Sequence, residues 1–147
     1  MSKIKIASLQ LKVREDKYEN IEKLAELIAT GIADEADIIS LPEIWNCPYQ
    51  TELFPVNAEP EQGDSWLALS TIARKNHVYM VGGSIPELGE DGKVYNTCYV
   101  FDREGRQIGK HRKVHLFDIF VTGEQVFRES DTLSAGNSFD TFETEWC

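Results

Sequence analysis

Two short apolar runs that end abruptly limit what this chain can fold into. Ile38-Ile39-Ser40-Leu41 stops at Pro42, and Val78-Tyr79-Met80-Val81 closes on Gly82-Gly83. A brief apolar run with a hard stop marks a buried parallel strand, and parallel strands need a crossover between them. The sequence between them supplies one: from Asp64 or Ser65 onward, Trp66, Leu69, Ile72 and Ala73 fall on one helical face. A similar unit comes first. Lys3 to Leu11 alternates as a strand, and Tyr18, Ile21, Leu24, Ala25, Ile28 and Ile32 recur at helical spacing behind a capping box of Asp16 and Glu19. Downstream, Asp91-Gly92 turns into a strand from Lys93 to Phe101, and Arg103-Glu104-Gly105 turns into another from Gln107 to Arg112. The order β-α-β-α-β followed by a meander predicts an α/β fold with a mixed sheet. Ser138 to Phe142 alternates like one more strand, and Glu145-Trp146-Cys147 follows directly, the pattern of a strand cut short.

Composition narrows the partners. The 147 residues carry 15 Lys and Arg against 25 Asp and Glu, a formal charge of −10. That field opposes nucleic acid and anionic membrane as bulk partners. No apolar run approaches a membrane span, and Met1-Ser2-Lys3-Ile4-Lys5 leads into no signal-type stretch. Cys47, Cys98 and Cys147 are odd in number, far apart and without a C-x-x-C pair. The expectation is a reduced, soluble, cytoplasmic protein. No composition shift marks a linker, so residues 1–147 read as one domain.

Glu43 stands directly behind the first buried run, in Leu41-Pro42-Glu43-Ile44-Trp45. Open α/β sheets bind ligands beyond the carboxyl ends of their strands, so an acid there is well placed. Its apolar neighbours predict a desolvated carboxylate suited to general-base work; the bland alternative is a surface acid in a loop. Lys113 lies in Lys110-His111-Arg112-Lys113-Val114-His115, a local positive site for an oxyanion or, more plainly, a solvated basic turn. His111 and His115 share H-x-x-x-H spacing, but Arg112 stands between them and the stretch reads as strand and loop, so no metal is assigned. Gly82-Gly83-Ser84 leads into Ile85-Pro86 rather than a helix, so no nucleotide cofactor is assigned either. Cys98 shares a face with Val94 and Val100 and reads as a core residue, whereas Cys47 is a loop cysteine without an obvious histidine partner. Glu129 alone reads as a surface acid.

Together these segments are far more specific than singly. Ile6-Ala7-Ser8-Leu9-Gln10, Leu41-Pro42-Glu43, Gly82-Gly83-Ser84-Ile85-Pro86-Glu87, Tyr95-Asn96-Thr97 and Arg112-Lys113-Val114-His115-Leu116-Phe117-Asp118 make the chain resemble the nitrilase superfamily of carbon–nitrogen hydrolases over its whole length. Asn46-Cys47-Pro48-Tyr49 and His115-Leu116-Phe117-Asp118-Ile119 are most similar to the ω-amidase branch, whose members deamidate monoamides of short 2-oxo dicarboxylic acids. The resemblance implies a two-sheet α/β sandwich, of which this chain would be roughly the first half, and a homodimer for the complete protein. It implies Glu43 as general base, Lys113 as stabiliser of the tetrahedral intermediate and Glu129 as a supporting acid, with no cofactor. The family's nucleophilic cysteine sits in a Gly-x-x-Cys-Tyr-like setting that does not occur here; Cys147 matches a position upstream of it. The expectation is therefore a chain that is inactive alone. Another amidase or a carbamoyl hydrolase, or a catalytically dead binding or dimerising protein, are the competing readings.

Overall fold

Hydrogen bonding in the computed structural model, which describes residues 3–121 and 125–146, builds one six-stranded mixed sheet and one separate two-stranded pair. β1 (Ile6–Ser8), β2 (Ile38–Ser40) and β3 (Tyr79–Val81) run parallel, in register Ile6–Ile38–Tyr79. β5 (Val94–Phe101) reverses the direction, and β6 (Gln107–Arg112) adds antiparallel to its far edge. The near edge of β5 is shared by β3 and β4 (Ile85–Leu88). Val81 pairs with Val100 and Ile85 with Thr97, so β3 and β4 are one strand carrying an extra residue at the junction. Gly83 absorbs that bulge at φ +57°, where an added Cβ would lie 2.0 Å from the Pro42 carbonyl oxygen. This junction grips the loop after β2: Ser84 N–H donates to Pro42 O, Trp45 N–H to Ser84 O, and the Trp45 indole to Gly82 O.

Two helices cover one face of the sheet. α1 (Lys17–Ile28) starts at Asp16, whose carboxylate accepts the Tyr18 amide, and α3 (Asp64–Asn76) ends at His77 in a left-handed conformation. Leu24, Ile28, Leu69 and Ile72 pack on Ile39, Met80, Tyr99 and Phe101, with Ala7 at the margin. α2 (Phe54–Asn57) is a single turn that buries Phe54 in a second cluster with Ile44, Cys47 and Leu133. The first strand is shorter than the alternation from Lys3 to Leu11 predicts, and Ile32 falls in a 3₁₀ turn rather than in α1. β7 (Asp118–Val121) and β8 (Gln125–Arg128) pair antiparallel, an element the sequence pattern does not reveal.

The other face of the sheet is only partly covered. Ile6 is 64% exposed there, while Ile38, Tyr79 and Val81 are half-buried. The strand expected over Ser138–Phe142 does not form: residues 137–146 are irregular and lie across this face without joining a ladder. Phe142 takes the space above Gly109, and Trp146 packs on Tyr79 with their ring centres 5.1 Å apart. Of the two aromatic residues within Ser138–Phe142, Phe142 packs on the sheet face while Phe139 stays exposed. Trp146 is partly covered by its contact with Tyr79. Cys147 lies outside the described residues. The chain exposes 8805 Å², about 1,200 Å² more than the roughly 7,600 Å² of a compact monomer of this mass.

Gly83→Ala is expected to destabilise the fold by about 3 kcal/mol or more, because a left-handed non-glycine and a backbone clash coincide. Denaturant unfolding measures it; a cost near zero would show that the junction can rearrange.

Candidate functional site

The site forms beyond the carboxyl ends of β2, β3 and β6, on the face without helices. Leu41 N–H donates to Val81 O and continues the ladder, after which the chain turns so that Ile44 and Trp45 point inward and Glu43 outward. Ile44 adopts φ +47°, an unfavourable conformation for a β-branched residue. Its burial in the second cluster and the bond from its N–H to Ser84 Oγ hold it there. The expectation of a desolvated Glu43 fails for this reason: the apolar neighbours face the other way, and the Glu43 side chain is 48% exposed.

Lys113 follows β6. Its N–H donates to Asn96 O and its carbonyl accepts from Gly136 N–H, so the backbone is fixed from both sides. The pleat of β6 divides the basic cluster that looks continuous in sequence. Lys110 and Arg112 project to the helix side and pair with buried Glu87, at 2.6 and 2.7 Å. Lys113 instead reaches Glu43, 70 residues away, with Nζ–Oε1 at 2.8 Å. Glu129, read from sequence as a surface acid, is fully buried and lies 2.9 Å from the same ammonium through Oε2. The structure thus brings Glu43, Lys113 and Glu129 together.

Two further side chains complete the set, and sequence reasoning missed both as site residues. Asn96, on β5, donates from Nδ2 to Glu43 Oε1 at 2.8 Å. Tyr49 donates its hydroxyl to Glu129 Oε1 at 2.5 Å, with its ring stacked on Phe127 and edge-on to Phe54. Both lie inside motifs that carry the family resemblance, Tyr95-Asn96-Thr97 and Asn46-Cys47-Pro48-Tyr49, which was the available signal. Glu43 Oε1 therefore holds two donors, while Oε2 takes no hydrogen bond among the described residues.

The electrostatics follow from burial and pairing. Burial alone would push the Glu129 carboxyl up, yet the Phe117 N–H, the Tyr49 hydroxyl and the Lys113 ammonium hold it below the ordinary carboxylate value. For Lys113, partial burial disfavours the charge, but Glu43 and Glu129 outweigh it and raise its pKa. The arrangement is a fixed cation between two carboxylates, one sealed and one with an open oxygen. A shallow cavity of about 370 Å³ fronts it, with Ser84, Asn96, Cys98 and His111 in its wall. Cys98 is thus a half-buried wall residue, and burial pushes its thiol up to about 11. Cys47 sits sealed in the second cluster, pushed up to about 12 by burial and by Glu59. A larger cleft, about 840 Å³, lies where Lys110 and Arg112 face Glu87, but its charged groups already satisfy one another. His111 Nδ1 lies 3.6 Å from Asp140, and the His115 ring meets Phe139; among the described residues no group of three or more potential metal ligands occurs.

The sequence profile of the carbon–nitrogen hydrolases matches residues 5–147. The chain is 47% identical to omega-amidase NIT2 of Mus musculus over 148 residues, covering 100% of this chain and 53% of that protein. It is 47% identical to omega-amidase NIT2 of Bos taurus over 147 residues, with the same coverage. Among solved structures it resembles Saccharomyces cerevisiae Nit3, a member of branch 10 of the nitrilase superfamily, with a TM-score of 0.83 at 35% identity, over 97% of this chain and 52% of that one. The chain therefore spans about half the length of the curated relatives it matches.

Lys113→Met is expected to cost about 3 kcal/mol at pH 7, because it leaves the buried Glu129 carboxylate without a cation. In the parent, the depressed Glu129 contributes stability that is present above its unfolded value and lost as pH falls through its folded value. Losing the cation raises the folded value, so the deficit of the variant should be smaller at pH 5 than at pH 7 in denaturant titrations. An equal deficit at both would show that Lys113 does not govern Glu129.

Proposed function

The chain belongs to the carbon–nitrogen hydrolase family, and we propose that it carries the base and the oxyanion-stabilising cation of an ω-amidase-like thiol hydrolase. The observation that carries this reading is the 2.8 Å contact between Glu43 and Lys113, with one Glu43 oxygen left open towards the cavity. In this reading Glu43 Oε2 takes the proton of a cysteine thiol, and the sulfur attacks the amide carbon. The carbonyl π electrons move to oxygen, where the Lys113 ammonium stabilises the charge. Collapse expels the nitrogen, which leaves as ammonia after receiving the proton held by Glu43. Water then adds to the thioester, Glu43 takes its proton, and the acid and the free thiol are released. Glu129 keeps Lys113 charged and in place.

The nucleophile is assigned to none of the three cysteines in this chain. Cys47 is sealed, and the Cys98 thiol is pushed away from its thiolate by burial. The substrate class is the monoamides of short 2-oxo dicarboxylic acids, a reading supported by the similarity to the mouse and cattle omega-amidases. The protein works in the cytoplasm, a reading supported by three scattered cysteines without a C-x-x-C pair. A homodimer is proposed for the complete enzyme.

Ammonia release from 2-oxoglutaramate or succinamate by this chain alone is expected to equal the buffer rate. Release that both Glu43→Gln and Cys98→Ser abolish would make Cys98 the nucleophile and overturn the assignment. Supplied in trans with the remaining half of the mouse omega-amidase, the chain should gain activity that Glu43→Gln lowers by about 10²-fold or more. Light scattering gives a separate measurement. The exposed Phe120–Val126 pair and Phe139, together with the surplus surface, should make the isolated chain associate with rising concentration. A concentration-independent monomer would count against an uncovered face.

A further inference from the structure

Glu129 poses a problem that Lys113 does not solve by itself. A fully buried carboxylate has four lone-pair directions to satisfy, and its ammonium partner is shared with Glu43. We infer that Tyr49 is the positioning residue of this site, donating its hydroxyl to Glu129 Oε1 and so deciding how strongly Glu129 draws Lys113 away from Glu43. The inference rests on the proposed amidase reading only for the use made of Lys113; the hydrogen-bond chain stands independently of it.

The geometry fits a positioning role. Glu129 Oε2 accepts the Phe117 N–H at 2.5 Å and lies 2.9 Å from Lys113 Nζ, and that nitrogen also reaches Oε1 at 3.1 Å. Tyr49 caps Oε1 at 2.5 Å from a loop 80 residues earlier in the chain. Without this donor Oε1 would present its full charge to Lys113 alone, and the shared ammonium would shift towards Glu129. The Tyr49 ring is held independently of its hydroxyl, stacked 5.5 Å from Phe127 and edge-on 5.4 Å from Phe54, so the oxygen is delivered to a fixed point. The charged groups facing Glu129 are Lys113 from the end of β6 and, across that ammonium, Glu43 from the loop after β2. Burial, then the bond to Glu129, then the charges of Glu43 and Glu129 all push the Tyr49 hydroxyl up, which keeps it a donor to Glu129.

The test uses the chain itself. With carbon-labelled glutamate and Glu129→Gln to assign the signal, NMR follows the Glu129 carboxyl through an acid titration. Tyr49→Phe keeps the ring contacts and removes one charge-assisted bond, so Glu129 is expected to bind its proton about tenfold more tightly, with the midpoint moving up. The Lys113 ammonium signal should move in the same variant. A merely structural hydrogen bond would move the Glu129 midpoint and leave the Lys113 signal where it is, and that result, or two unmoved signals, overturns the inference. Should Tyr49→Phe not fold, 3-fluorotyrosine at position 49 carries the test. It is a stronger donor, so the midpoint should move down, and an unmoved midpoint again overturns the inference. Either failure would leave the hydrolase reading standing, because that reading is judged by ammonia release in the reconstituted enzyme.

Discussion

One buried negative charge organises this end of the molecule. Glu129 has no exposed surface, and a carboxylate without water must find donors elsewhere or not ionise. It finds three, from two separate segments: the Tyr49 hydroxyl from the loop after β2, and the Lys113 ammonium and Phe117 amide from the connection after β6. Meeting that demand draws together the loop after β2, the end of β6 and the turn after β8. Lys113 in turn is bound to Glu43, whose oxygen also receives Asn96. The chain of contacts from Tyr49 through Glu129 and Lys113 to Glu43 and Asn96 is therefore both a local scaffold and the source of the site's electrostatics.

The sheet performs a second sorting. Four consecutive residues, Lys110 to Lys113, form one basic cluster in sequence, and the pleat assigns them to opposite faces. Lys110 and Arg112 neutralise Glu87 at the edge of the larger cleft, where Arg112 also stacks on Tyr95 at 3.8 Å. On the other face Lys113 pairs with Glu43, and His111 lines the cavity beside them. The strained Ile44 belongs to the same logic: its buried side chain holds the turn that keeps Glu43 outward, and the bulge at Gly83 makes room for that turn.

The helix-free face is covered by single side chains instead of a further element. Phe142 fills the space above Gly109, and Arg103 lies over both the Tyr79 and Trp146 rings while pairing with Glu145. These contacts cover the middle of the sheet and leave its β1 edge and the β7–β8 pair exposed. The surface in excess of a compact monomer is of the order a standard interface buries on one partner.

Sequence by itself determined the α/β class, the parallel strands around Ile39 and Met80, both covering helices, the strand from Gln107 to Arg112 and the identity of Glu43 and Lys113 as candidates, while Glu129 entered only through the family resemblance. Those features are legible because apolar periodicity and abrupt Pro or Gly stops are local, and because the family motifs are contiguous. Tertiary structure decided the rest. It placed Glu43 towards solvent, against the reading from its neighbours, because the direction of a side chain in a turn depends on what grips that turn. It left the alternation at Ser138–Phe142 unpaired, with Phe142 on the sheet and Phe139 exposed, since a strand needs a partner edge that periodicity cannot supply. It also buried Glu129 and gave it Tyr49, a partner 80 residues away whose hydroxyl no local pattern connects to a carboxylate. Charge burial is a property of distant segments meeting, and for that reason it became visible only when the chain was folded.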